Sequence, residues 1–232
     1  MRVKQIVGMA MLLCVPVFSA HAIDVNITEE MADIVTVHNG KEVTIQRIQD
    51  QENVIPAGYS KTSRKCPPFC LQPMVVAPGV TTVGELEVLD FIENKLNKGK
   101  GVLIDSRTES WFNEGTIPGS INIPFTTFSD DSSDLVKAAA FAKFDVVRKD
   151  KSNPTMERLK EMFGSKSNKS RFWDYTNAKD LLLWCNGIWC GQSPHAIEGL
   201  LALGYPPEKI FYYRGGMQSW LSVGLTTVKK GD

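Results

Sequence analysis

The stretch Leu181–Ala196, LLLWCNGIWCGQSPHA, restricts the possible folds of this chain more than any other. Leu181 to Trp184 form an unbroken apolar run, which predicts a short buried strand ending at Cys185. A polar loop with two glycines follows. Ser193 and Pro194 then read as the N-cap and first residue of a helix. Ile197, Leu200 and Leu201 give that helix one apolar face. A thiol at the carboxyl end of a strand, facing loop amides and the positive end of a helix dipole, is favoured as the thiolate. The plain alternative is that Cys185 and Cys190 are an inert disulfide or simply packed.

Two further motifs carry a resemblance. Asp105-Ser-Arg107 with Glu114-Gly-Thr-Ile-Pro-Gly-Ser-Ile-Asn-Ile-Pro124 resembles the first signature of rhodanese-type sulfurtransferase domains. Tyr213-Arg-Gly-Gly216 to Trp220 resembles the closing signature, and Cys185 falls at the nucleophile position of that family. Three matches in the right order, over about residues 81–226, are a specific signal where one would be weak. The resemblance implies an α/β fold with a central, mainly parallel sheet flanked by helices. It also implies a cysteine that accepts a sulfane sulfur as a persulfide and passes it on.

Residues 1–22 have the pattern of a secretory signal peptide: Arg2 and Lys4, an apolar run from Ile6 to Ser19, and the small-x-small site Ala20-His21-Ala22. Leu13 before Cys14 does not fit a lipid-attachment site, so the expected exported chain has no membrane anchor. The expected setting is the bacterial periplasm. Lysine plus arginine and aspartate plus glutamate are balanced at 26 each, which gives no reason to propose nucleic acid as a partner. Four cysteines remain after cleavage, in two close pairs. In an oxidising compartment they are disulfides, or a dedicated thiol reductant or sulfur donor maintains them, for instance a periplasmic redox protein.

Residues 23–80 read as an accessory segment. Two β-rich runs flank Asn39-Gly40, a strong hairpin signal, and His38 is expected to be a polar residue beside that turn. Cys66 and Cys70 lie in Cys-Pro-Pro-Phe-Cys. A redox or sulfur-relay dithiol, a structural disulfide and a soft Cu(I) site are all open to that spacing. Zinc would need two further ligands. Pro73, Pro78 and Gly79 read as a linker.

Residues 81–232 form the main α/β domain. Apolar residues from Val83 to Leu96 predict a helix capped by Thr81 or Thr82. Val102–Ile104 predict a buried strand ending at Asp105, which with Arg107 is expected to be a buried structural pair. Ile117-Pro-Gly119 reads as a turn and Ile121–Pro124 as an edge strand. An insertion of about residues 129–179 carries helical spacing at Asp134–Phe144 and Thr155–Phe163, a solvated tract at Gly164–Arg171, and Phe172, Trp173 and Tyr175 to pack it down.

The expected substrate-binding loop is Asn186, Gly187, Ile188, Trp189, Gly191, Gln192 and Ser193. It supplies no cation, and it is about two residues longer than the family's standard loop. In the related phosphatases an arginine follows the cysteine at the sixth position; here that position is Gly191, so the bidentate contacts a phosphate ester needs are missing. Cys190 can curl back on Cys185 and resolve a persulfide or mixed disulfide there. Trp189 would shield the loop, and His195 is expected to be an exposed helix residue. The first expectation is therefore an exported sulfurtransferase or thiol-redox enzyme with Cys185 as nucleophile and Cys190 as resolving thiol, requiring no cofactor and no metal. Its rival is a non-catalytic scaffold that binds copper or a thiol-disulfide partner through its cysteine pairs.

Overall fold

Strands that are apolar on both faces belong at the centre of a parallel sheet covered by helices on each side. The computed structural model, which describes residues 25–149 and 172–231, has this arrangement. In chain order the elements are β1 (Asp33–His38), β2 (Lys41–Gln46), α1 (Ala57–Ser60), β3 (Thr81–Val83), α2 (Glu85–Phe91), β4 (Gly101–Asp105), α3 (Glu109–Glu114), β5 (Ile121–Asn122), α4 (Asp134–Ala142), β6 (Val147–Arg148), β7 (Trp173–Asp174), β8 (Asp180–Trp184), β9 (Ile210–Tyr213), with α5 (Gln192–Ala202) between the last two strands and α6 (Gly216–Ser222) at the end. The expected signal peptide with Cys14, the helix at Thr155–Phe163 and the tract Gly164–Arg171 lie outside the described residues.

Five strands pair in parallel in the order β3-β9-β8-β4-β5. The period-two alternation of strand side chains divides the interior into two cores. Leu181 and Leu183 of β8 pack with Phe141 of α4 and Ile197 and Leu200 of α5. Leu182 and Trp184 face the other side, with Val88 and Leu89 of α2 and Met217 and Trp220 of α6. Phe141, Phe144, Trp173, Tyr175 and Tyr205 form an aromatic cluster that holds the described ends of the insertion on the first core. The edge position of Ile121–Asn122 agrees with its sequence pattern.

Two local expectations are corrected. Thr81 and Thr82 do not cap the helix; backbone pairing with β9 draws them into β3, and α2 starts after Gly84, whose N–H donates to the Glu87 carboxylate at 2.9 Å. Leu86 in consequence falls on the outer face, 52% exposed. His38 is buried rather than merely turn-flanking, because the hairpin docks on the domain. Asn39 and Gly40 take the positive φ values (50° and 79°) of a tight hairpin turn. Asn97 bonds the Val35 carbonyl and the Thr36 hydroxyl, and the Gly119 N–H donates to His38 Nδ1 at 3.2 Å. Burial lowers the His38 pKa.

Candidate active site

The carboxyl ends of β4, β8 and β9 meet at one edge of the sheet, and this edge builds the site. β8 delivers Cys185 there, 2% exposed, and the loop after it turns back so that Cys190, 6% exposed, approaches Cys185 to 2.7 Å. Both are free thiols. A bond from the Cys190 N–H to the Gly187 carbonyl, 2.9 Å, closes the turn.

The expected helix start is corrected at this point. Gly191 is the cap and α5 begins at Gln192, so Ser193 lies in the first turn rather than ahead of it. Its hydroxyl, freed from capping, donates to Cys185 Sγ at 3.0 Å from a fully buried position.

Two more amides complete the cradle. Burial by itself would push the Cys185 thiol up. The Cys190 thiol, the Ser193 hydroxyl and the Ser193 and Gly187 backbone N–H groups all donate to the sulfur and hold its pKa below the ordinary thiol value. The Cys190 carbonyl, 3.2 Å from Cys185 Sγ, accepts from the neutral thiol and works the other way. Magnitudes decide between them. Hydrogen bonds to a charged group contribute about 1.5–3 kcal/mol each, and several together offset a desolvation penalty of several kcal/mol. Cys190 moves in the opposite direction: its bond to Cys185 comes first, then burial, then the charge on Cys185, and together they push its pKa well up. Of the two thiols, Cys185 is thus the one whose ionised form is favoured, and Cys190 is the one that keeps its proton.

The closing Gly-Gly explains why the loop amides point inward. Gly216 has φ of +54°, and a Cβ there would lie 2.2 Å from the Cys185 carbonyl oxygen. With no side chain in the way, α6 reaches the loop from below. Met217 N–H donates to the Cys185 carbonyl at 2.9 Å and Gln218 N–H to the Asn186 carbonyl at 3.0 Å. The carbonyls are spent on α6, which leaves the amides on the thiolate side.

Asp105 and Arg107 form the buried pair expected from the sequence, bidentate at 2.9 and 2.6 Å. Thr116 and the Gly115 carbonyl complete their bonding. Arg107 does more than close its own strand: its Nη1 donates to Asn186 Oδ1 at 3.2 Å and to the Tyr59 hydroxyl at 3.1 Å. Asn186 is therefore a buried strut of the loop.

Of the other expected loop residues, Gly187 and Ser193 donate to the sulfur. Gln192 places Oε1 3.5 Å from Cys190 Sγ, Gly191 caps α5, and Ile188 is exposed. Trp189 is half-buried, with its indole N–H on Gln218 Oε1 at 2.9 Å. His195 is exposed as expected, bonded to Ser129.

Several site residues carry no sequence signal, because they come from the accessory segment. Tyr59, Arg64, Phe69 and Gln72 lie against the loop. Phe69 meets the Trp189 ring edge-on at 5.3 Å, and the Arg64 guanidinium sits 4.4 Å over that ring. Gln72 N–H donates to the Ile188 carbonyl at 2.8 Å. The Tyr212 hydroxyl, from β9, is also missed. It is buried without a hydrogen-bond partner among the described residues and feels the charge of both Cys185 and Cys190.

Cys66 and Cys70 are joined to each other as a disulfide, so their sulfurs are not available as thiolates to Cu(I) in this state. Among the described residues no group of three or more His, Cys, Asp or Glu side chains is arranged to hold a metal. None of the described helices is long and apolar enough to cross a membrane.

Comparison with protein families matches a rhodanese-like domain to residues 89–223. No curated protein matches the chain. Among solved structures, the chain is similar to the BH2092 protein from Bacillus halodurans, with 18% identity over 64% of this chain and 77% of that one and a TM-score of 0.38. It is also similar to a thiosulfate sulfurtransferase from Pseudomonas aeruginosa (16% identity, 65% of this chain and 20% of that, TM-score 0.35). A third similar structure is the human single-domain sulfurtransferase TSTD1 (18% identity, 61% and 96%, TM-score 0.33).

Proposed function

Because the chain belongs to the rhodanese-like domain family, we propose that it is a sulfurtransferase whose carrier is Cys185 and whose resolving thiol is Cys190. The observation that carries this reading is the arrangement at the end of β8: Cys190 stands 2.7 Å from Cys185, whose Sγ accepts from the buried Ser193 hydroxyl at 3.0 Å.

The Cys185 thiolate attacks the sulfane sulfur of an anionic donor such as thiosulfate or a polysulfide. A bond forms between Cys185 Sγ and that sulfur, and its bond to the rest of the donor breaks, releasing sulfite or a shortened polysulfide. The persulfide then occupies the cradle that held the thiolate. From there the outer sulfur goes to an acceptor thiolate, restoring Cys185. Alternatively Cys190 attacks Cys185 Sγ, the Cys190 proton leaves with the outer sulfur as hydrosulfide, and a Cys185–Cys190 disulfide remains. In that branch the outer sulfur is reduced and two cysteine thiols are oxidised, so a dithiol reductant must close the cycle. The signal-peptide pattern of residues 1–22 supports a periplasmic setting for this chemistry.

Cyanolysis of the thiosulfate-treated protein tests the reading. Thiocyanate release and a 32-Da adduct, the mass of one added sulfur atom, are expected with the native chain and lost in Cys185→Ser. Cys190→Ser should keep the adduct and lose the hydrosulfide. Absence of any adduct on native Cys185 with both donors would overturn it.

A further inference from the structure

The loop pair is sealed, yet resolution by Cys190 leaves a disulfide there that something must reduce. Cys185 and Cys190 are 2% and 6% exposed, and residues 57–72 lie across the loop that carries them. A reductant protein approaching from solvent meets this strap before it meets Cys185. The strap carries its own disulfide: Cys66 is exposed and Cys70 half-buried.

The two cysteine pairs sit on segments in direct contact. Phe69, next to Cys70, packs on Trp189, next to Cys190. Gln72 joins the two pairs more closely still. Its N–H donates to the Ile188 carbonyl at 2.8 Å, and its Nε2 donates to the Cys70 carbonyl at 2.9 Å. That same Nε2 lies 3.5 Å from where a Cβ on Gly191 would be. Arg64 and Lys65 immediately precede Cys66 in the chain, so the segment that carries the exposed sulfur is cationic.

We propose that Cys66–Cys70 is the electron port of the active site, receiving electrons from a dithiol reductant protein and passing them to the Cys185–Cys190 disulfide. This rests on the resolving role of Cys190 given above. The external thiolate attacks the exposed Cys66 Sγ and breaks the Cys66–Cys70 bond, and its second thiol frees Cys66, leaving the strap reduced and the reductant oxidised. The Cys70 thiolate then attacks Cys190 Sγ. A Cys70–Cys190 bond forms, the Cys185–Cys190 bond breaks, and Cys185 leaves as the thiolate its cradle stabilises. Cys66 thiolate next attacks Cys70 Sγ, restoring the strap disulfide and releasing Cys190, which takes up the proton. Two electrons pass inward, and the final state, strap oxidised and loop reduced, is the one observed in the structure.

The test starts from the chain without residues 1–22, with all four cysteines oxidised by diamide, so it needs no sulfur donor. Reduced thioredoxin serves as the dithiol protein and a water-soluble phosphine as the small control reductant. The return of the Cys185 thiol is read by rapid alkylation and mass spectrometry. Removing both strap sulfurs (Cys66→Ser with Cys70→Ser) should slow the reaction with thioredoxin at least about tenfold while the phosphine reduces both proteins alike. In Cys66→Ser alone, whose Cys70 thiol cannot be cleared, a Cys70–Cys190 cross-linked peptide should accumulate. Equal thioredoxin rates with and without the strap sulfurs, or no such cross-link, would overturn the port. Failure of Cys185 to take up sulfur would overturn the sulfurtransferase reading and leave this exchange measurable on its own.

Discussion

At the scale of single residues, reactivity at Cys185 depends on who holds the proton. The Ser193 hydroxyl is one of few donors able to reach a sulfur that is 2% exposed. Ser193→Ala removes one hydrogen bond to the charged form, a loss of about 1.5–3 kcal/mol or roughly one to two pKa units. The native thiol should reach its full rate with iodoacetamide at a lower pH than an ordinary thiol does, since its pKa is lowered. The Ser193→Ala profile should be displaced to higher pH by that amount, and an unmoved profile would show that the hydroxyl does not stabilise the thiolate. Ser193 also shows how far a cap can be read from sequence. Its type suits an N-cap, but the cap fell to Gly191 because a buried sulfur was the better partner for the hydroxyl.

At the scale of elements, the site is a crossing of two helix starts and one strand end. α5 brings the Ser193 N–H to the sulfur, and α6 takes up the carbonyls of Cys185 and Asn186. The glycine that allows this is legible in sequence only as a motif; its reason is the 2.2 Å approach of a would-be Cβ to the Cys185 carbonyl. Gly216→Ala therefore meets both a backbone clash and an unfavourable φ. A loss of about 2–4 kcal/mol in urea unfolding is expected, with slower alkylation of Cys185 in the protein that still folds. Wild-type stability in that variant would mean that α6 can retreat without disturbing the loop. The strands were easier to read: Leu181–Trp184 and Val102–Ile104 are continuous apolar runs because both their faces are covered.

At the scale of the whole molecule, the part that looked accessory in sequence is wrapped around the domain. The hairpin is fastened by Asn97, Gly119 and the Arg47 bond to the Val223 carbonyl, and the strap beyond it covers the active loop. Phe69 packs edge-on against Trp189, so Phe69→Ala should open the site. Alkylation of Cys185 by a bulky maleimide is expected to rise several-fold more than alkylation by iodoacetamide, since shielding by size is what is removed. An unchanged ratio between the two reagents would show that the strap does not control access.

Local chemistry determined much of this protein. Apolar runs and their period chose the strands, Asn39-Gly40 chose the hairpin turn, and the order of three motifs placed Cys185 at a strand end beside a helix start. These are interactions between near neighbours in the chain, so they are written there. Contacts across long chain separations are different. That Tyr59 would reach Arg107 and Asn186, that Gln72 would bond Ile188, and that Cys70 and Cys190 would stand on touching segments depends on how the accessory segment packs after the sheet has formed. Packing is decided by the combined shape and polarity of surfaces that exist only once the chain has folded, and no short stretch of residues contains it.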